Sequence, residues 1–197
     1  KKVINVIGYP NRKVMPTPAV KAQDNHMGRG MSLENDLNDS NAYYCSCDRA
    51  LIHKKPTPIQ VVKVDYPERS AAKITEAYYK TPSTTDYNGI YRGRAIDFEA
   101  KETRQKTSFP FKSIHPHQIE HLKKVIQHGG IGFFIIRFTC FEETYLIDAA
   151  ILIDMYYEGE RKSISYMKVK EVGSLIRMGL TPRLCYLDNV DALYFKE

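Results

Sequence analysis

The sequence predicts an α/β layer fold, a mixed central β-sheet flanked by helices. Three observations lead there. Predicted elements run in the order helix, strand, hairpin, helix, strand, strand, helix, the alternation of a layered α/β domain. The run IGFFIIRFTCF at 131–141 opens apolar on both faces, as a central strand covered from two sides must. Ahead of it, SIHPHQIEHLKKVIQHGG spaces Ile119, Leu122 and Ile126 as one apolar helical stripe. At 197 residues with 43% hydrophobic side chains, the chain is long enough to bury one core.

Taken in order, residues 1–27 hold Pro10, Pro16 and Pro18 among scattered Lys and Arg, with little apolar periodicity, and read as a flexible basic arm. A single domain is expected over 28–197. Its first helix falls in GRGMSLENDLNDSNAYY, where Ser32 can cap and Met31, Leu33, Leu37 and Tyr44 approach helical spacing. RALIHKKPTPIQVVKVDYP is extended, because Pro56 and Pro58 bar a helix interior and Ile59, Val61, Val62 and Val64 favour strand. Residues 67–82, PERSAAKITEAYYKTP, fit helix or strand equally and read as a segment projecting from the body. Pro116 suits the first turn of a helix that Gly129-Gly130 ends. TYLI is the antiparallel partner of the central strand, DAAILIDMYYE a following helix, and LDNVDALYF one of the short helices that close the chain.

The charge is uneven. Lys and Arg outnumber Asp and Glu by 12 to 7 over residues 53–112 and by 7 to 5 before them, whereas acids lead 11 to 10 afterwards. Such a patch attracts polyanions, nucleic acid foremost; the alternative is a solvated face that serves solubility. Cys45, Cys47, Cys140 and Cys185 lack the spacing of a disulfide frame or a zinc site and read as buried free thiols of a reducing cytoplasm. The longest apolar run is too short to cross a bilayer, and no charged segment followed by an apolar core opens the sequence.

The stretch STTDYNGIYRGRAIDFEAKETRQK, residues 83–106, carries the candidate chemistry. With Arg92-Gly93 as a two-residue turn, antiparallel pairing sets Tyr91 against Arg94, Tyr87 against Phe98 and Asp86 against Glu99. Opposed Cβ atoms lie about 4.5–5.5 Å apart, where two bare carboxylates repel. By alternation Asp97, Glu99 and Lys101 share one face with Thr84 and Asp86, while Ile96, Phe98 and Ala100 point into a core. The polar face suits either a surface ion-pair cluster or a Mg²⁺ ion held by hard oxygens, to which Gln118 in the first turn of the next helix would add another. His115, His117 and His121 do not form a His-Glu-x-x-His zinc site and read as exposed or phosphate-facing. Lys54, Lys55, Arg104 and Lys106 read as DNA-backbone contacts or a solvated face, and Tyr78 and Tyr79 as platforms for unpaired bases.

Asp-x₁₂-Glu-x-Lys resembles the PD-(D/E)xK nuclease core. The longer strings GRGMSLE, IHKKPTPIQVVKVDYP, STTDYNG, IDFEAKETRQKTSFP and HPHQIEH together resemble the RecU family of Holliday-junction resolvases. The similarity runs from about Gly28 to Glu197, dense through 28–145 and sparse after Tyr156. It implies a restriction-endonuclease-like core with a protruding stalk over about 56–82, placing Arg69, Lys73 and Lys80 at the open centre of a four-way junction. Thr84, Asp86, Glu99 and Gln118 match the family's magnesium positions, and Lys101 its lysine that stabilises the transition state. Glu34 resembles the early acid of the superfamily. Implied with these are Mg²⁺, with Mn²⁺ as candidate substitute, a homodimer, paired symmetric nicking in recombination and repair, a bacterial cytoplasmic location, and a recombinase or branch-migration helicase as candidate partner. The competing class is a non-catalytic junction binder or recombinase modulator on the same fold.

Overall fold

Why the chain forms a covered sheet is clearest at its centre. In the computed structural model, which describes residues 32–80, 82–159 and 161–195, every residue of one strand, Ile131–Phe138, is buried. Phe133 and Ile135 pack to one side with Ile96, Phe98, Leu37, Tyr186 and Val190. Phe134, Ile136 and Phe138 pack to the other with Ile119, Leu122 and Leu152. Strand alternation thus divides one apolar run between two cores, and each core needs its own helices.

In chain order the elements are helix α1 (Leu33–Ser46) and strands β1 (Leu51–Lys54), β2 (Ile59–Asp65), β3 (Lys73–Tyr79), β4 (Tyr87–Tyr91), β5 (Arg94–Thr103) and β6 (Ser108–Pro110). Helix α2 (Pro116–Gln127), β7 (Ile131–Phe138), β8 (Glu143–Asp148), α3 (Ala149–Glu158), β9 (Ser163–Ser165), α4 (Tyr166–Val172), β10 (Ser174–Leu175) and α5 (Tyr186–Tyr194) follow. Six strands form the main sheet in the order β1-β4-β5-β7-β8-β10. β5 and β7 run parallel with α2 as their crossover, and the other neighbours are antiparallel, so the sheet is mixed as expected. α1 and α5 cover one face, and α2 and α3 the other.

Local signals explain the boundaries. The Ser32 hydroxyl accepts from the Asn35 N–H to start α1, and Asp148 accepts from Ala150 N–H to start α3. Gly129, at φ +80°, follows α2 in the left-handed region that glycine adopts without strain. At the hairpin turn Arg92 and Gly93 both take positive φ, 49° and 77°, as a type I′ turn requires. Asp191 of α5 pins that turn, accepting from Arg92 Nη1 at 3.0 Å and from the Tyr91 hydroxyl at 2.7 Å.

Within the segment 67–82, Lys73–Tyr79 forms strand β3, after a short 3₁₀ turn at Arg69–Ala71. β2 and β3 pair with each other alone, in a ribbon with register shifts between Val61 and Lys63 and between Lys63 and Val64. All residues of both strands are exposed. The cysteines require a correction: all four are free, yet Cys45, Cys47 and Cys140 are exposed and Cys185 alone is buried. The first two end α1 where it meets solvent, and Cys140 sits in the β7–β8 turn. No described helix is long and apolar enough to cross a membrane. The basic arm expected over 1–27 lies outside the described residues.

Candidate active site

Two adjacent strands and the start of a helix build the site. The register of β4 and β5 follows the expected pairing, Tyr91 with Arg94 through to Tyr87 with Phe98. Asp86 is the next residue outward, and its N–H donates to Glu99 Oε2 at 3.0 Å. Phe98, pointing the opposite way, stacks between Tyr87 and Phe133 at ring-centroid distances of 4.8 and 4.7 Å. That stack holds the strand so that its even-numbered residues face the α1–α5 core and Glu99 faces α2.

Glu99 is fully buried, while Asp86 and Thr84 are half-buried. Lys101 Nζ lies 2.6 Å from Glu99 Oε1. Burial, helped by a hydrogen bond shared with the Asp86 carboxyl, pushes the Glu99 carboxyl up to about 8 in spite of Lys101. Burial thus disfavours the charged form of Glu99 at the place where a bound cation would favour it. Tyr87, behind them, is raised first by burial and then by the negative charges of Glu34, Asp86 and Glu99. Glu34 thus belongs to the same field, and its carboxylate pairs with Lys54.

Not every expected group turns toward these acids. Gln118 is buried, and its Oε1 accepts the His115 N–H at 2.9 Å, closing a capping box at the start of α2. That bond uses one lone pair of the carbonyl oxygen and leaves the other open. Thr84 donates to the Thr85 carbonyl at 3.4 Å. Lys55, read as a backbone contact, is instead engaged inside the protein, its Nζ 3.0 Å from both Thr85 Oγ1 and Asp97 Oδ2. His121, read as exposed or phosphate-facing, has its Nε2 3.1 Å from the same Asp97 Oδ2. Arg104, Lys106, Lys73 and Lys80 are exposed as expected; the side chain of Arg69 lies outside the described residues.

His117, read with His115 and His121 as exposed or phosphate-facing, has one ring nitrogen inside the protein. Its ring stacks on His115 at 5.4 Å, and its Nε2 is buried without a hydrogen-bond partner among the described residues. Burial, then the positive charges of His115 and Lys101, hold its pKa below the usual histidine value. Its i, i+2 spacing from His115 was visible, but the approach of α2 to the hairpin was not.

Among the described residues no group of three or more His, Cys, Asp or Glu is arranged to hold a metal. The fit to a hard divalent cation rests on the acids Asp86 and Glu99, which the hairpin brings together through the Asp86 N–H and Glu99 Oε2.

The family model described as Recombination protein U matches residues 28–192. A protein of Shouchella clausii named Holliday junction resolvase RecU is 56% identical over 182 residues, covering 91% of this chain and 86% of that protein. Its namesake in Bacillus mycoides is 52% identical over 197 residues, covering 96% of this chain and 98% of that protein. Among solved structures, Archaeoglobus fulgidus Hjc, a Holliday junction resolvase, aligns with a TM-score of 0.40 at 11% identity over 71% of this chain and 90% of that one. By the family match and the two bacterial relatives, this chain belongs to the RecU family.

Proposed function

We propose that this chain is a divalent-metal-dependent endonuclease that resolves four-way DNA junctions by paired symmetric nicks. The observation that carries this reading is the meeting of Asp86 and Glu99 across the β4–β5 hairpin with the Lys101 ammonium 2.6 Å from Glu99. Family membership and the names of the relatives support it.

Asp86 and Glu99 would hold Mg²⁺, or Mn²⁺ in its place, with Thr84 beside them and Glu34 supplying nearby negative charge. The cation, when bound, lowers the pKa of water and polarises a phosphate. Lys101 orients the nucleophile's approach and offsets charge growing on the phosphoryl oxygens. His117, neutral at pH 7, presents a buried nitrogen on the α2 side. The exposed β2–β3 ribbon, with Lys73, Lys80, Tyr78 and Tyr79, forms the stalk that engages the junction centre. Arg69 belongs to the same segment. Arg104 and Lys106 extend the contact along the duplex arms. A second copy of the chain would place a second site at the symmetry-related strand, a recombinase or branch-migration helicase would deliver the junction, and the work belongs in the bacterial cytoplasm.

Incubation with a mobile four-way junction, with Mg²⁺ or with EDTA, tests the proposal. Cutting with Mg²⁺ alone is the expected result. Binding in both and cutting in neither would instead leave a non-catalytic junction binder on the same fold.

A further inference from the structure

A second buried carboxylate lies two residues before Glu99 on the same face of β5, and the chemistry above makes no use of it. Asp97 is 7% exposed. A carboxylate so placed is costly unless its charge and lone pairs are satisfied. Lys55 and Thr85 satisfy it, and His121 packs against it from α2. Lys55 Nζ, just beyond β1, lies 3.2 and 3.0 Å from its two oxygens. The Thr85 hydroxyl donates to Oδ1. His121 Nε2, on α2, is 3.1 Å from Oδ2.

Each of these partners is one step from a candidate site residue. Thr85 lies between Thr84 and Asp86. The Lys55 backbone N–H donates to the Asp86 carbonyl at 2.7 Å, while the ammonium of the same residue goes to Asp97. Asp86 is therefore held from both sides, its N–H by Glu99 and its C=O by Lys55. His121 stands one helical turn beyond His117 and Gln118, so its contact ties α2 to the same strand.

We propose that Asp97 is a positioning residue. It fixes the Thr84–Asp86 segment and α2 against β5, and so sets where the Asp86 carboxyl stands relative to Glu99. Lys55 then acts inside the protein as the counter-charge of this hub and does not contact DNA. The inference rests on the proposed function for the role of the two carboxyls, though its structural part stands independently. Groups that orient metal-binding side chains typically contribute about 10–100-fold to metal affinity or activity.

The test uses the full chain with Asp97→Asn, and measures amide hydrogen exchange, Mn²⁺ affinity by calorimetry, and junction cleavage. Exchange at the Lys55 and Asp86 amides should speed at least about tenfold while β7 amides stay within about twofold, and Mn²⁺ affinity should fall about 10–100-fold. Cleavage should lose kcat with KM nearly unchanged. Unchanged Mn²⁺ affinity and local exchange would overturn the proposal, as would exchange rising equally in β7, which marks general destabilisation. Should Asp97→Asn fail to fold, Thr85→Val removes a single arm and should weaken Mn²⁺ binding several-fold; unaltered binding overturns the proposal there too. Lys55→Met should leave the salt dependence of junction binding unchanged, and a slope shallower by about one would put Lys55 on a phosphate. Failure of the wild-type chain to cut junctions would sink the proposed function while leaving the exchange and Mn²⁺ results to decide the role of Asp97.

Discussion

Two antiparallel strand pairs in this molecule share a topology and little else. The β4–β5 hairpin is flanked by β1 and β7, pairs in unbroken register, and stacks Phe98 between two rings. The β2–β3 ribbon has no third strand, shifts register twice, and exposes every residue, Tyr78 and Tyr79 by 62% and 84%. A strand covered on two faces can hold the buried Glu99 carboxyl against the Asp86 N–H, which a solvated ribbon cannot do. Conversely, the ribbon exposes apolar and basic groups at little cost to the core, since none of its described residues belongs to either hydrophobic cluster. Precision and reach are thus assigned to different hairpins.

The largest expected effect falls on the first hairpin. Asp86→Asn should abolish junction cleavage, by more than about a thousandfold, while junction affinity stays within about twofold, because phosphate contacts carry most of the binding. Parallel cleavage and gel-shift titrations check it, and equal loss of both would erase the division between the two hairpins. Next, Phe98→Ala should lower unfolding free energy by about 3–5 kcal/mol in a urea titration, the range for a fully buried aromatic ring. A cost below about 1 kcal/mol would mean that the ring stack does not hold the site.

A pH titration sharpens the same comparison. Burial pushes the Glu99 carboxyl up to about 8 in the folded chain, from an ordinary value of 4.5. The unfolded chain releases this proton first, so the stabilisation is complete below about 4.5 and is lost as pH rises through about 8. Metal-free protein should therefore show a Tm falling over that window, a slope that Glu99→Gln removes. Mg²⁺ must displace the proton, so the Mg²⁺ concentration giving half-maximal cleavage should rise as pH falls below about 8.

Ribbon substitutions should behave in the opposite way. Tyr79→Ala is expected to change stability by less than about 0.5 kcal/mol yet to weaken junction binding by about 1–3 kcal/mol, with linear duplex much less affected. The smallest effect is that of Lys73→Ala, whose signature is a salt slope reduced by about one. If duplex binding falls as much as junction binding, the ribbon is a general clamp and does not read the junction.

The sequence made some of this legible and hid the rest for physical reasons. Hairpin register could be read because a two-residue turn and strict alternation leave no freedom once Arg92-Gly93 is placed. Central burial of β7 was visible in its unbroken apolar run. Residues 67–82 were ambiguous because β3 is exposed throughout, so no buried face imposes a period of two on it. The capping box that Gln118 forms with the His115 N–H was hidden, because side-chain pattern does not reveal a backbone donor. The hub at Asp97 joins Lys55 and His121 from either side in sequence, and only the packing of α2 and β1 around β5 brings them together. Cys45, Cys47 and Cys140 were expected inside on composition alone, whereas their positions at a helix end and a turn leave them in solvent.

Anomalous diffraction from Mn²⁺-soaked crystals of the full chain would interrogate the hairpin most directly. A manganese peak should appear between the carboxyl groups of Asp86 and Glu99 and vanish in Asp86→Asn. Manganese bound elsewhere, or absent from this position in a protein that still cuts junctions, would contradict the assignment of the two acids.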